Sequence, residues 1–439
     1  MQIDRDFKEF LKYSALNVLG MLGLSCYILA DTFFVAKGLL ADGLAALNLA
    51  IPVYSFIHGT GLMLGMGGAT RYSVLKSQRR DGEADKIFTN ALFLSAAFAA
   101  LFVLTGIFLS EPLTAALGAN AGIFEMTNTY LKVLLLFSPA FLLNDVLICF
   151  VRNDGNPKLA MTGMICGSFF NIIMDYILIF PMRMGIFGAV LATGVSPVIS
   201  IAVLSRHLIS GKNRFHAVRT GLCLRTSGTV FVLGLPSLIT ELASGVVIIV
   251  FNAILLRLQG NTGVAAYGVI ANLALVLTAV YTGIAQGIQP LLSTAHGLGD
   301  TQRSKRLLRY AIAAMACLSA VVYLCIICFA EPIVRLFNSE NNRQLQSIAE
   351  TGLKIYFTGG IFAGFNIILS VFFTSAEKAV PAHILSLLRG FAVIISTALL
   401  LAEIWGLRGV WLSFPVTEIL SAILGLLLYL RMEKIRNRG

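Results

Sequence analysis

The sequence predicts an all-α membrane protein, with twelve transmembrane helices in two six-helix lobes related by a parallel internal repeat. Composition is the first reason. Of 439 residues, 57% are hydrophobic and only 13% charged, with mean hydropathy +0.84; a soluble domain carries about 25% charged residues. The second is the number of apolar runs. A span needs about 20 such residues, and runs of that kind lie at roughly 11–36, 46–70, 87–109, 129–151, 158–181, 186–206, 229–256, 265–292, 307–330, 351–374, 380–403 and 408–431. The third is a match of the chain with itself. Ser110-Glu111-Pro112-Leu113 returns 220 positions later as Ala330-Glu331-Pro332-Ile333, and Gly43-Leu44-Ala45-Ala46-Leu47 returns at the same offset as Gly263-Val264-Ala265-Ala266-Tyr267. Further on, Asn144 meets Asn366 at 222, and Gly185-x-x-Gly188 meets Gly406-x-x-Gly409 at 221. Several matches in order, at nearly constant spacing, mark a chain built of two similar halves.

The basic stretch around Arg206–Arg225 divides these halves. The expected organisation is a lobe over 1–208, a basic linker over 209–228 and a second lobe over 229–439. Lysine and arginine set the orientation. The tail, the even-to-odd loops, the linker and the C-terminus together carry 24, against 8 on the other side, with Arg389 alone inside a span. Under the positive-inside rule both termini face the cytoplasm. Six spans per half is an even number, so the two halves run parallel. The N-terminus mixes signs (Asp4, Arg5, Asp6, Lys8, Glu9) and leads into a long apolar run holding Asp31, so it reads as a first span rather than a cleaved signal.

Several function classes are excluded. The net charge of +11 is scattered among short loops, which is membrane topology and not a nucleic-acid face. No phosphate-binding Gly-x-x-x-x-Gly-Lys-Ser/Thr occurs, so the chain carries no ATPase motor. Seven cysteines lie mostly in apolar runs without metal spacing and read as small reduced core residues. No cofactor and no enzymatic nucleophile is expected.

A carboxylate within the hydrocarbon costs at least about 2.5–3.5 kcal/mol, so each one needs a reason. Asp31 lies deep in the first span, with Tyr27 one turn before it on the same face. Asp175 lies in the fifth span, with Asn171 at i−4 and Met164 three turns earlier; the sixth adds Thr193. Two carboxylates, an amide and a hydroxyl form an all-oxygen set suited to Na⁺ or to a shared proton. The repeat sharpens the point, because Asp31 falls on Phe251 and Asp175 on Ser396. The scaffold is repeated, but these charges are not. Asn144 and Asp145 in the fourth span are candidate neighbours, and Glu241 in the seventh is the best second-half carboxylate. Glu418 lies mid-span on no evident polar face, while His58 and His296 read as interfacial. Glycines 61, 65, 67 and 68, with 283 and 287, permit close helix approach, and Pro52, Pro139, Pro236 and Pro290 permit kinks.

Four stretches, Ala30-Asp31-Thr32-Phe33-Phe34-Val35, Arg152-Asn153-Asp154-Gly155-Asn156-Pro157-Lys158, Asn171-x-x-x-Asp175 and Gly283-Ile284-Ala285-Gln286-Gly287-Ile288-Gln289-Pro290, resemble the motifs of the multidrug and toxic compound extrusion (MATE) family, closest to its bacterial MepA-like branch. The resemblance covers nearly the whole chain, in order. It implies a monomeric antiporter of the bacterial inner membrane that admits Na⁺ or H⁺ and exports amphipathic organic cations. It carries the family's cation site onto Asp31, Asn171, Asp175 and Thr193, with Tyr27, Asn144 or Asp145, and Glu241 as further positions. Membrane lipid is then the surrounding partner, and no nucleic acid is bound. The rival is a flippase for a lipid-linked oligosaccharide, which needs a cationic cavity for its pyrophosphate.

Overall fold

The computed structural model describes residues 4–338 and 342–436, and among these every regular element is a helix, with no strand. Arg5–Ser77 holds two spans, 5–39 and 41–77, meeting at Leu40, the one residue off helical geometry (φ 57°, ψ −151°). The third span is Asp81–Phe108, followed by the short helix Ser110–Ala116. The fourth is Phe124–Leu136 with Ser138–Asn153, bent by 49°. Pro139 causes that bend: it has no N–H for the Leu135 carbonyl one turn earlier, and its ring crowds that carbonyl. Pro157–Ile179 and Gly185–Ile209 are spans 5 and 6.

The second half repeats this plan. Leu224–Gly297 holds spans 7 and 8, 224–259 and 261–297, meeting at Gly260 (φ 62°, ψ −153°). Span 9 is Thr301–Phe337, and span 10 runs from Arg343 to Ser375 through a short 3₁₀ turn. Spans 11 and 12, 379–405 and 407–436, meet at Gly406. Twelve spans put both termini on one side of the bundle, here called the terminal side.

The backbone itself repeats at the offsets found in the sequence. Positive φ is costly for L-residues, about 1–2 kcal/mol, yet it recurs in pairs: Leu40 with Gly260 and Arg79 with Gly299 at 220, Gly155 with Glu377 at 222, Gly185 with Gly406 at 221. Leu109 (φ −125°, ψ 9°) is matched by Phe329 (φ −123°, ψ 19°) just before each Glu-Pro. Each half has its own core. One cluster in the second half centres on Phe251, Tyr267, Tyr356 and Trp411, and two in the first centre on Tyr72, Phe88 and Phe150, and on Tyr130, Leu134 and Phe141.

The halves touch through two equivalent glycine contacts. A Cβ on Gly67 would lie 2.0 Å from the Val230 carbonyl oxygen, and one on Gly234 would lie 1.8 Å from that of Met63. The counterpart of Gly67 is Gly287, where a Cβ would lie 2.7 Å from Cα of Ser14, itself the counterpart of Gly234. Span 2 therefore meets span 7 as span 8 meets span 1, which is a pseudo-two-fold arrangement. Ion pairs close the terminal side: Arg71 with Glu377 at 2.8 Å, and Asp6 with Arg303 and Arg306 at 3.0 and 2.8 Å.

Between Ile209 and Leu224 the chain crosses the terminal side without regular structure. Side chains of the first half satisfy its N–H groups. Arg214 N–H donates to Asp154, His216 to Asp85, Val218 to Thr89 and Cys223 to Asn90. Phe215 is buried in the aromatic cluster of Tyr72, Phe88 and Phe150.

One expectation fails outright. Of the seven cysteines only Cys149 is buried, while Cys26, Cys223, Cys317, Cys325 and Cys328 are exposed on the bundle surface. Within a membrane bundle an apolar run has a lipid face as well as a core face, and hydropathy alone cannot separate the two.

Candidate functional site: a buried acid pair behind an acid-lined cavity

Spans 1, 5 and 6 bring together the four expected residues Asp31, Asn171, Asp175 and Thr193. Asp31 is buried (7% exposed), and Asn171 and Asp175 are fully so. The i, i+4 spacing stacks Asn171 and Asp175 on one face. Oriented to satisfy its neighbours, the Asn171 amide donates to Asp175 Oδ2 at 3.0 Å and accepts from the Thr193 N–H at 3.2 Å. Thr193 Oγ1 donates to the Ala189 carbonyl, which fixes the hydroxyl against span 6.

The carboxyls of Asp31 and Asp175 lie next to each other. Two ionised carboxylates repel at such close range unless one takes up a proton or a cation lies between them. Oδ1 of each is buried without a partner. Buried polar oxygens are ordinarily satisfied, so an orphan on each acid marks a place for a guest. No Lys, Arg or His is ion-paired with either acid among the described residues.

In front of this pair lies a cavity of about 220 Å³ between the halves. Tyr27, Asn144, Asp145, Met164, Thr193 and Glu241 all line it. Asp31, Asn171 and Asp175 sit behind its wall, and Tyr27 stands between the two compartments with its hydroxyl 2.6 Å from that of Tyr54. Asn144 and Asp145 are brought to the cavity by the part of span 4 that follows the Pro139 bend.

Three residues depart from the sequence reading. His58 is no interfacial residue: it lines the cavity, and its Nδ1 lies 2.9 Å from Asp145 Oδ2. Arg152, counted above as a loop charge, is 1% exposed beneath the cavity. Its guanidinium donates to Asn17 and Gln286 at 2.8 and 2.9 Å and lies 3.2 Å from the Met66 sulfur. It ties spans 1, 2, 4 and 8 together, so Arg389 is not alone as a basic residue inside the bundle. Glu418 does have a polar face: it accepts from Arg389 at 2.8 Å and from Asn366 at 2.7 Å. Asn366 is the repeat partner of Asn144, a signal that was present in the sequence. Tyr54 and His58 share a face at i, i+4, but a single histidine in an apolar run gives no sign of a partner on another helix.

The MatE family model matches residues 18–177 and again 236–400, one stretch in each half. The chain belongs to the MATE family. Members of this family are transporters, so this protein is a multi-pass membrane transporter and not an enzyme. It is 25% identical over 435 residues to the multidrug export protein MepA of Staphylococcus saprophyticus, covering 98% of this chain and 95% of that protein. A crystal structure of MATE in complex with MaL6 superposes with a TM-score of 0.93 at 23% identity, covering 98% and 97% of the two chains. The outward-facing conformation of a multidrug resistance MATE transporter superposes at 0.92 with 22% identity, covering 98% and 97%. The fold is thus that of MATE transporters, twelve spans included.

Proposed function

We propose that this MATE protein is a secondary active exporter of amphipathic organic cations, driven by inward Na⁺ or H⁺. The observation that carries the reading is the first-half acid set. Asp31 and Asp175 face each other with an unsatisfied oxygen apiece, and no basic side chain neutralises them. They hold the coupling cation, as a proton shared between the carboxyls or as Na⁺ with Asn171 and Thr193 completing an oxygen shell. Asp145 and Glu241, in the cavity wall, face the exported cation. In a medium of low dielectric these carboxylates favour a positive guest over a neutral or anionic one. Met21, Met164, Phe141 and Tyr54 add polarisable and aromatic contact without demanding one shape.

Binding of the two cations to different states moves the protein between them. The halves are joined on the terminal side by the glycine contacts and ion pairs described above. With both termini in the cytoplasm, as the charge bias implies, this is the state closed to the cytoplasm. The protein works as a monomer in a bacterial inner membrane. The flippase reading fares worse, because neither arginine inside the bundle is free to hold a pyrophosphate. Arg389 is bound to Glu418, and Arg152 is enclosed by Asn17, Gln286 and Met66.

Competition in membrane vesicles tests this. Several chemically unrelated organic monocations should compete for export, while anions of similar size do not. Competition by anions or neutral sugars alone would put the flippase ahead.

A further inference from the structure

We propose that His58, Asp145 and Glu241 form a second cation site, separate from Asp31 and Asp175, in which a protonated imidazole holds the place that the exported cation takes. The inference rests on the cavity being a route for organic cations.

The geometry is specific. His58 Nδ1 and Asp145 Oδ2 are 2.9 Å apart, from spans 2 and 4, with side chains 14% and 6% exposed. The Tyr54 ring stacks on the imidazole, with centroids 5.8 Å apart and planes 14° from parallel. Glu241 approaches from span 7, its Cβ 3.1 Å from where a Cβ on Gly59 would sit. The groups around His58 are therefore Tyr54 on its own span, Asp145 from span 4 and Glu241 from span 7. Tyr27 of span 1 follows one step behind, through its bond to Tyr54. Two acids and one phenol face the imidazole, and among the described residues no basic side chain shares the lining of the cavity with it.

A buried carboxylate needs a partner, and here the only resident candidate in the cavity is the histidinium. An organic monocation that enters and pairs with Asp145 removes the reason for His58 to be charged. The imidazolium N–H bond then breaks, its electron pair stays on nitrogen, and the proton leaves to water in the cavity. One positive charge replaces another, so the site stays balanced throughout. Histidine suits this role because its ordinary pKa, about 6.5, lies closest to neutrality. The site thus exchanges one proton for one cation, whatever ion occupies the pair behind it.

The bound complex holds one proton fewer than the free protein, so binding must strengthen as pH rises. The limiting slope is about tenfold per pH unit while His58 is protonated in the free protein, and it vanishes above that range. Ethidium, an aromatic monocation, is the probe, and its affinity for the purified full-length protein in nanodiscs is measured across the histidine range. The expected result is a rising affinity in the wild type, a flattened slope with binding retained in His58→Gln, and weaker binding at every pH in Asp145→Asn. A wild-type slope in His58→Gln overturns the proposal, because the proton then comes from elsewhere. Should His58→Gln not fold, the imidazole NMR signals of the wild type decide: they must move from the charged to the neutral form when ethidium is added, and unmoved signals overturn it equally. Absence of ethidium binding at any pH, in protein that is folded, removes the cation reading of the cavity itself and this inference with it.

Discussion

The two halves share a backbone but neutralise their buried acids in opposite ways. In the first half, Asp31 and Asp175 face each other with unsatisfied oxygens and no protein cation. In the second, Glu418 is held by Arg389 and Asn366 at 2.7–2.8 Å, so its cation is built in. Arg389 sits in a π-helical turn, Leu388–Ala392, inserted where span 11 passes Glu418; such turns commonly mark functional positions. Here it aims the guanidinium at its acid. The difference teaches how a duplicated scaffold divides labour. A tethered cation makes a fixed strut, whereas a missing one makes an exchangeable site.

The largest expected effect comes from emptying the exchangeable site. Asp31→Asn and Asp175→Asn should each reduce efflux of a fluorescent monocation from energised cells to background, with normal amounts of folded protein in the membrane. Size and hydrogen-bonding capacity are kept, and only the charge is lost. Wild-type efflux by both variants would erase the contrast between the halves.

Breaking the tethered pair should act on stability instead. Arg389→Ala leaves Glu418 buried without its cation, at a cost of about 3–5 kcal/mol. Thermal unfolding in detergent reads this directly, and adding Glu418→Gln should recover much of the loss in a double-mutant cycle. No recovery would mean that the two residues are not coupled.

A smaller effect is expected at the seam. Gly67→Ala forces a Cβ to within 2.0 Å of the Val230 carbonyl oxygen, and overpacking of this kind costs about 1–3 kcal/mol. The penalty falls on the state joined at the terminal side alone. Crosslinking across the spans 2–7 seam should therefore decrease, and unchanged crosslinking would place the contact elsewhere.

The smallest effect is predicted for Ser396→Ala, the repeat counterpart of Asp175. Ser396 is exposed on the bundle surface, and surface changes stay within about 0.5 kcal/mol. Transport by this variant should match the wild type. A loss equal to that of Asp175→Asn would show that the second half holds an ion site after all.

Much of this was legible in the sequence because membrane folds are written in long apolar runs. The offset of 220–222 found from Glu-Pro and glycine matches is also the offset at which positive φ recurs. Asn171 with Asp175 was legible because i, i+4 spacing alone fixes a shared face. Contacts between distant spans were not. His58 meets Asp145 across 87 positions, and Arg152 meets Asn17 and Gln286 across 135 and 134. No local pattern encodes such partners. Arg152 misled for a further reason: it stands in the last turn of span 4, where charge counting assigns it to a loop. The exposed cysteines misled because lipid, unlike water, accepts them as readily as the core does.

The central claim is that an ion gradient drives export through the first-half acid pair. Everted membrane vesicles with an imposed Na⁺ or pH gradient test it most directly, with uptake of a fluorescent monocation followed for the wild type and Asp175→Asn. Wild-type vesicles should accumulate the cation only while one of the gradients stands and release it when that gradient is collapsed, and Asp175→Asn should accumulate none. Accumulation by Asp175→Asn at the wild-type rate, or wild-type uptake indifferent to both gradients, would contradict the account.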